Sequence, residues 1–314
     1  MCEHAHTRHR PSIGEEVFVK KLFDTLFGQK TEPKLDIPTK PIPPEPTQVI
    51  PKKEHFEPPQ LIVGCAQSAG RQRDHNEDAL FTLTTTLSSE YGNVPLGLYI
   101  VADGMGGHQH GEIASGIAIR TLASVVVRKL VASLLSLNPS PPEQSLLEIM
   151  QEGVQESHRL ITRQVPGGGT TLTAVLILGN QMTLAHVGDS RAYAIGPNGS
   201  MEVLTRDHTL VKRLVEIGRI TSDEAAIHPQ KNVLYRALGL GEPFDPDLNT
   251  MQLPESGYIL LCSDGLWGVI SDETIHQIVM TSPNPEQACK RMIDAANEAG
   301  GPDNITAILV KLPE

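Results

Sequence analysis

The chain has 314 residues, is 39% hydrophobic and carries a formal net charge of −11. Length and apolar content suffice for one large domain with an appendage, and the acidic balance excludes an extended nucleic-acid surface. The four cysteines, Cys2, Cys65, Cys262 and Cys289, form no C-x-x-C pair, which excludes a disulfide-stapled fold and fits a reducing, cytoplasmic setting.

In chain order, the first element is a short amphipathic helix in EEVFVKKLFDTLFG, where Val19, Leu22, Phe23, Leu26 and Phe27 share a face and Gly28 ends it. That stripe can dock on the main domain, bind a partner or touch a membrane surface. Ahead of it, Cys2, His4, His6 and His9 read as a frayed tail, because a zinc site there would lack a second cysteine. The proline- and charge-rich stretch from Thr31 to Pro59 reads as an extended linker. The expected division is therefore a tail over 1–59 and a folded domain over 60–314. No run approaches the roughly 20 apolar residues of a membrane helix; TLASVVVRKLVASLL is broken by Arg128 and Lys129. The N-terminus also lacks the apolar core of a signal peptide.

From Leu61 onward, short apolar runs between turn residues predict strands: LIVGCAQS, LGLYIVAD, TLTAVLIL, QMTLAHVG, RAYAIG, YILLCSD and NITAILVKL. Helical stretches are expected near 112–137, 143–164, 207–218 and 286–298, the proline cluster Pro139–Pro142 separating the first two. Residues 171–204 look like a meander, with hairpin turns at Gly179-Asn180 and Pro197-Asn198-Gly199. Strands and helices grouped apart indicate an α+β fold on antiparallel sheets.

Aspartates beside glycine or other small residues recur where apolar runs end. They are NED (Glu77, Asp78), ADG (Asp103, Gly104), CSDG (Asp264) and GGPDN (Asp303), with Asp189 in VGDSR as a fifth. One Asp-Gly marks only a turn. Several in one domain imply converging carboxylates, which repel one another unless a cation neutralises them. Oxygen-only donors select a hard ion such as Mg²⁺ or Mn²⁺.

GRQRDHNEDA, VADGMGGH, GGTTLTAVL, AHVGDSRAY, TRDHTL, HPQKNVLYRALG, LLCSDGLWGVISDE and GGPDNITAILV, in this order, resemble the motifs of the metal-dependent Ser/Thr protein phosphatases, the PPM or type 2C family, in its bacterial form. The resemblance covers about Leu61–Pro313. It implies a four-layer α-β-β-α sandwich of two antiparallel sheets and two Mn²⁺ or Mg²⁺ ions in a channel at one end. By motif, Asp103 would bridge the ions, Asp264 and Asp303 complete the first site, and the Gly104 carbonyl serve the second. Asp78, backed by Glu77, would hold metal-bound waters. A water bridging two cations ionises near neutral pH and can attack a phosphate monoester in line. Arg73 matches the family's phosphate-binding arginine. The leaving alkoxide would take its proton from His108 or from a water on the metals. Asp189 is either a hairpin residue bonding Arg191 or local backbone, or the holder of a third, weaker ion. The segment from Thr205 to Gly239 would form a flap beside the site.

Other residues have structural readings: His186 as a core histidine, Trp267 as core, Cys262 as a small buried strand residue, and Thr170-Thr171 as the opening of a strand. The expected function is hydrolysis of phosphoserine and phosphothreonine in proteins by a monomer. The alternative is a pseudophosphatase that binds phosphoproteins without turning them over. Such modules typically lose an acidic ligand, whereas Asp78, Asp103, Asp264 and Asp303 are all present.

Overall fold

The structure, a computed structural model, describes residues 60–89, 92–106, 109–136, 142–241 and 244–313. The expected tail, 1–59, and His108 lie outside the described residues. Two antiparallel sheets organise the domain. One runs β1 (Ile62–Ser68), β11 (Ile305–Lys311), β10 (Tyr258–Cys262), β7 (Arg191–Ile195), β8 (Met201–Val203). The other runs β2 (Asp78–Ser89), β3 (Gly92–Met105), β5 (Leu172–Leu178), β6 (Gln181–Val187), β9 (Asp247–Gln252), with β4 (Gly169–Thr170) beside β3.

Apolar runs without polar alternation become strands buried on both faces. On β3, Leu96, Leu98, Ile100 and Ala102 face one core layer, while Tyr99 and Val101 face another. On β11, Ile305, Ala307 and Leu309 join an outer layer and Ile308 and Val310 the inner one. The inner layer lies between the sheets, and helices cover the two outer faces. Helix α1 (Gln109–Val126) packs Ala114, Ala118 and Leu122 onto β3 and β5, and continues through a π-turn to Leu134. Beside it, α2 (Leu146–Gln164) starts at a capping box in which Ser145 and Glu148 satisfy each other's backbone N–H. The other sheet is covered by α6 (Asp272–Thr281) and α7 (Pro285–Glu298). Between β8 and β9 lie two short helices, α3 (Leu210–Glu216) and α4 (Ser222–Ala226), and after β10 the single turn α5 (Asp264–Trp267). The layer order is α-β-β-α.

The structure corrects the sequence reading in four places. The meander is broken: β5–β6 and β7–β8 are hairpins, but β6 and β7 belong to different sheets. Gly188–Ser190 carries the chain across, so Asp189 sits at a crossover between sheets and not in a hairpin. Two strands lack a sequence counterpart, β2 and β9, both edge strands with partly exposed faces. Helix α6 likewise has no sequence counterpart, and the helix expected over 207–218 shortens to α3 because Thr209, accepting from Lys212 N, caps it.

Candidate active site

The strand ends explain how the acids meet. Asp78 opens β2 and pairs in register with Asp103 near the end of β3. In the facing sheet β10 and β11 are neighbours, so Asp264, just after β10, and Asp303, just before β11, reach the same end. Glycine permits the close approach. A Cβ at Gly265 would lie 2.0 Å from the Asn304 carbonyl oxygen, and one at Gly104 would lie 2.3 Å from that of Gly111 and 2.6 Å from that of Glu77.

Burial and mutual repulsion dominate the electrostatics. Desolvation, joined by Asp264 and Asp303, pushes the Asp78 carboxyl up to about 7, against hydrogen bonds from Thr306 and Ser263. Asp103 is raised well above the carboxylate range by burial and by the charges of Asp78, Asp264, Asp189 and Asp303. Burial and Asp303 raise Asp264 to about 6, against the lowering influence of the neighbouring Asp103 side chain and Arg73. Asp189 is pushed up to about 8 by burial, then by Asp264 and Asp207. Four acids that resist ionisation at one place are a site short of positive charge.

Hydroxyls and one amide hold these acids in position, and sequence reasoning missed them. Asp103 N donates to Thr171 Oγ1 at 2.9 Å, and Thr170 Oγ1 donates to Asp103 O at 2.9 Å. Thr170 and Thr171 do open the β-strand region, but they also clamp the backbone that carries Asp103. Asp78 Oδ2 accepts from Ser263 Oγ at 2.7 Å and Thr306 Oγ1 at 2.6 Å. Asn304 accepts from Glu77 N at 2.8 Å and donates to Ala69 O and His75 O. The signal was present, a small polar residue adjoining each acidic motif, yet such residues abound in turns.

The other expected site residues are placed as follows. The Glu77 carbonyl accepts from Gly104 N at 3.2 Å and Ser115 Oγ at 2.6 Å, while Glu77 Oε1 lies 3.3 Å from His75 Nε2. Arg73 Nη2 meets Asp303 Oδ2 at 2.7 Å, with the arginine side chain 51% exposed. Asp189 gives its carbonyl to Trp267 Nε1 at 3.0 Å. It does not bond Arg191, whose guanidinium is gripped by both Asp207 oxygens at 2.9 and 2.7 Å and lies 3.5 Å over the Trp267 ring. Trp267 is thus a half-buried wall of the site. Cys262 is fully buried, with its thiol pushed up by desolvation. His186 is a core residue bonded to Thr173 Oγ1 and Arg206 O. A cavity of about 730 Å³ opens beside the acids, bordered by Arg73, Arg191, Asp264, Trp267 and Asp303.

The donor set fits a hard divalent cation. Asp78 Oδ1 and Asp264 Oδ1 are buried with no hydrogen-bond partner, a costly state for carboxylate oxygens unless a cation, or a water bound to one, takes them. Among the described residues no three acidic, imidazole or thiolate groups already form a cage. The fit lies in orphaned oxygens and oxygen-only chemistry, with Arg73 occupying part of Asp303 in this geometry.

Fold and site together define a metal-dependent phosphatase architecture. Residues 64–305 match the family described as Protein phosphatase 2C, and the chain belongs to that family of metal-dependent serine/threonine phosphatases. It is 36% identical over 255 residues to the serine/threonine protein phosphatase PstP of Mycobacterium tuberculosis, covering 79% of this chain and 44% of that protein. It is 35% identical over 251 residues to a putative protein phosphatase 2C-type of Streptococcus pyogenes, covering 80% of this chain and 97% of that one. Among solved structures, the catalytic domain of PstP in complex with two manganese ions superposes with a TM-score of 0.65 at 33% identity, covering 81% of this chain and 99% of that one. The chain therefore spans less than half of the mycobacterial relative and nearly all of the streptococcal one. These relatives bear phosphatase names, and the pseudophosphatase alternative finds no support.

Proposed function

We propose that residues 60–314 hydrolyse phosphoserine and phosphothreonine in proteins, acting as a monomer in the cytoplasm with two Mn²⁺ or Mg²⁺ ions. The observation that carries this reading is the convergence of Asp78, Asp103, Asp264 and Asp303, with two orphaned buried oxygens, at one end of the sandwich. The cytoplasmic setting is supported by the free thiols of Cys65, Cys262 and Cys289. Among the described residues no helix is long and apolar enough to cross a membrane.

When bound, the ions supply a water acidic enough to attack at neutral pH and offset the phosphate charge. Asp103, Asp264, Asp303 and the Gly104 carbonyl are the groups that would hold the ions, Asp103 standing opposite Asp78 on β2. Ser263 and Thr306 fix Asp78 through Oδ2, leaving Oδ1 to accept a hydrogen bond from water at the site. Glu77 backs Asp78 through its backbone carbonyl, which accepts from Gly104 N on β3 and from the Ser115 hydroxyl on α1. Arg73 is half exposed and spends one nitrogen on Asp303, so its remaining N–H groups can hold phosphate oxygens. Asp189 would hold a further, weaker ion, and His108 would donate the proton to the leaving alkoxide.

The test is turnover of a phosphothreonine peptide and of an aryl phosphate before and after exhaustive chelation. Activity should vanish with EDTA and return with Mn²⁺. Undiminished turnover after chelation overturns the reading.

A further inference from the structure

The 730 Å³ cavity is continuous with the acid cluster through Arg73, Asp264 and Asp303, and extends beneath α3 and α4. Cavities of about 300–1,000 Å³ enclose whole small molecules, so a phosphoryl group at the acids leaves most of this space empty. Its lining includes a set of apolar side chains: Val211 and Val215 of α3, Ala226 of α4, then Trp267 and Val269. The Trp267 ring is held rigidly, with Arg191 on one face and Asp207 neutralising that arginine through two bonds.

Charge at the rim is of the opposite kind. Lys212 and Lys231 both line the cavity, and no ion pair engages either of them among the described residues. Around the cavity four cations, Arg73, Arg191, Lys212 and Lys231, face three carboxylates, Asp207, Asp264 and Asp303; on a chain of net charge −11 that is a local reversal of sign that attracts carboxylates.

We propose that this cavity receives the residues flanking the phosphorylated one in a protein substrate: an apolar side chain against Val215 and Trp267, and a neighbouring aspartate or glutamate held by Lys212 and Lys231. The inference rests on the phosphatase reading above and deepens it to a substrate class, acidic-hydrophobic phosphosites. The lysines also screen an acidic substrate from the carboxylates beyond them. Binding energy gathered here, away from the reacting phosphorus, favours such protein substrates over bare phosphate esters.

The experiment uses the full chain with Mn²⁺ and four phosphothreonine peptides, flanked on both sides by Leu and Glu, Ala and Glu, Leu and Lys, or Ala and Lys. Aryl phosphate, too short to span the cavity, provides the reference rate. The Leu-Glu peptide should exceed the Ala-Lys peptide by about tenfold or more in kcat/KM, normalised to aryl phosphate. In Lys212→Glu/Lys231→Glu the Glu-over-Lys preference should invert while the Leu-over-Ala preference persists; Val215→Ser should reduce only the latter. Equal rates on all four peptides, or a double variant that scales all four alike, overturn the proposal. If wild type turns over neither peptides nor aryl phosphate, the phosphatase reading itself fails and this one falls with it.

Discussion

The sandwich and the segment from 205 to 239 are stabilised by different means. In the sandwich, β3 and β11 are buried on both faces, and apolar contact carries the structure. In the segment, α3 buries only Val211 and α4 buries nothing, while Ile227 is 84% exposed. Hydrogen bonds pin it at its base: Tyr235 N to His208 O at 2.9 Å, His208 N to Gly188 O at 2.7 Å, and bridges Thr170–Leu238 and Thr209–Leu234. The division suits the proposed chemistry. Groups that need fixed geometry stand on strand ends, and groups that meet variable substrates stand on an element of low local stability.

The sharpest way to break this comparison is Asp103→Asn. Losing that carboxylate should lower kcat by at least about 10²-fold, because it disturbs both proposed cation sites. The metal-free domain should meanwhile become no less stable to heat, since a buried acid repelled by four others has been removed. Wild-type kcat in a folded variant would place the chemistry elsewhere.

A smaller effect lies in the pH dependence of the metal-free domain. Asp78 and Asp189 are raised from 3.8 to about 7 and about 8, so between those limits the folded state holds protons that the unfolded state has lost. Stability is then full below the unfolded value and declines as pH rises through the folded ones. Burial lowers His186 from 6.5 to about 4, an opposite slope in which stability is lost as pH falls through that range. From about pH 6.5 up to about 8 the carboxyls therefore dominate, and the melting temperature should fall with rising pH. Saturating Mn²⁺ should flatten that decline. A metal-free melting temperature that rises with pH over this interval contradicts the buried-acid account.

The smallest effect is expected in the flap. Ile227→Ser should change unfolding free energy by less than about 0.5 kcal/mol, as for surface substitutions generally. Urea denaturation measures it; a loss several times larger would show that the residue packs against something after all.

Much of the candidate site is legible in the sequence. Asp103, Asp264 and Asp303 each terminate or precede an apolar strand beside a small residue, Asp78 stands in the NED motif, and α1, α2 and α7 show helical spacing bounded by caps and prolines. Local pattern suffices there because period and turn chemistry are short-range. It fails for β2, whose DALFTLTTTLSS is threonine-rich and half exposed, and for the edge strand β9. Strand character at an edge comes from a neighbour's free hydrogen bonds more than from the strand's own apolar content.

Sequence by itself determined the residue types that can gather a hard cation, the order in which they occur and the α+β class of the chain. Tertiary structure alone decided that Asp78 stands opposite Asp103, that β6 and β7 part to different sheets at Gly188–Ser190, and that Thr170, Thr171, Ser263, Thr306 and Trp267 brace the acids. The reason is physical: a turn looks the same locally whether the next strand returns to its own sheet or crosses to another. Which occurs depends on how two sheets bury their inner faces together, an interaction between residues far apart in the chain.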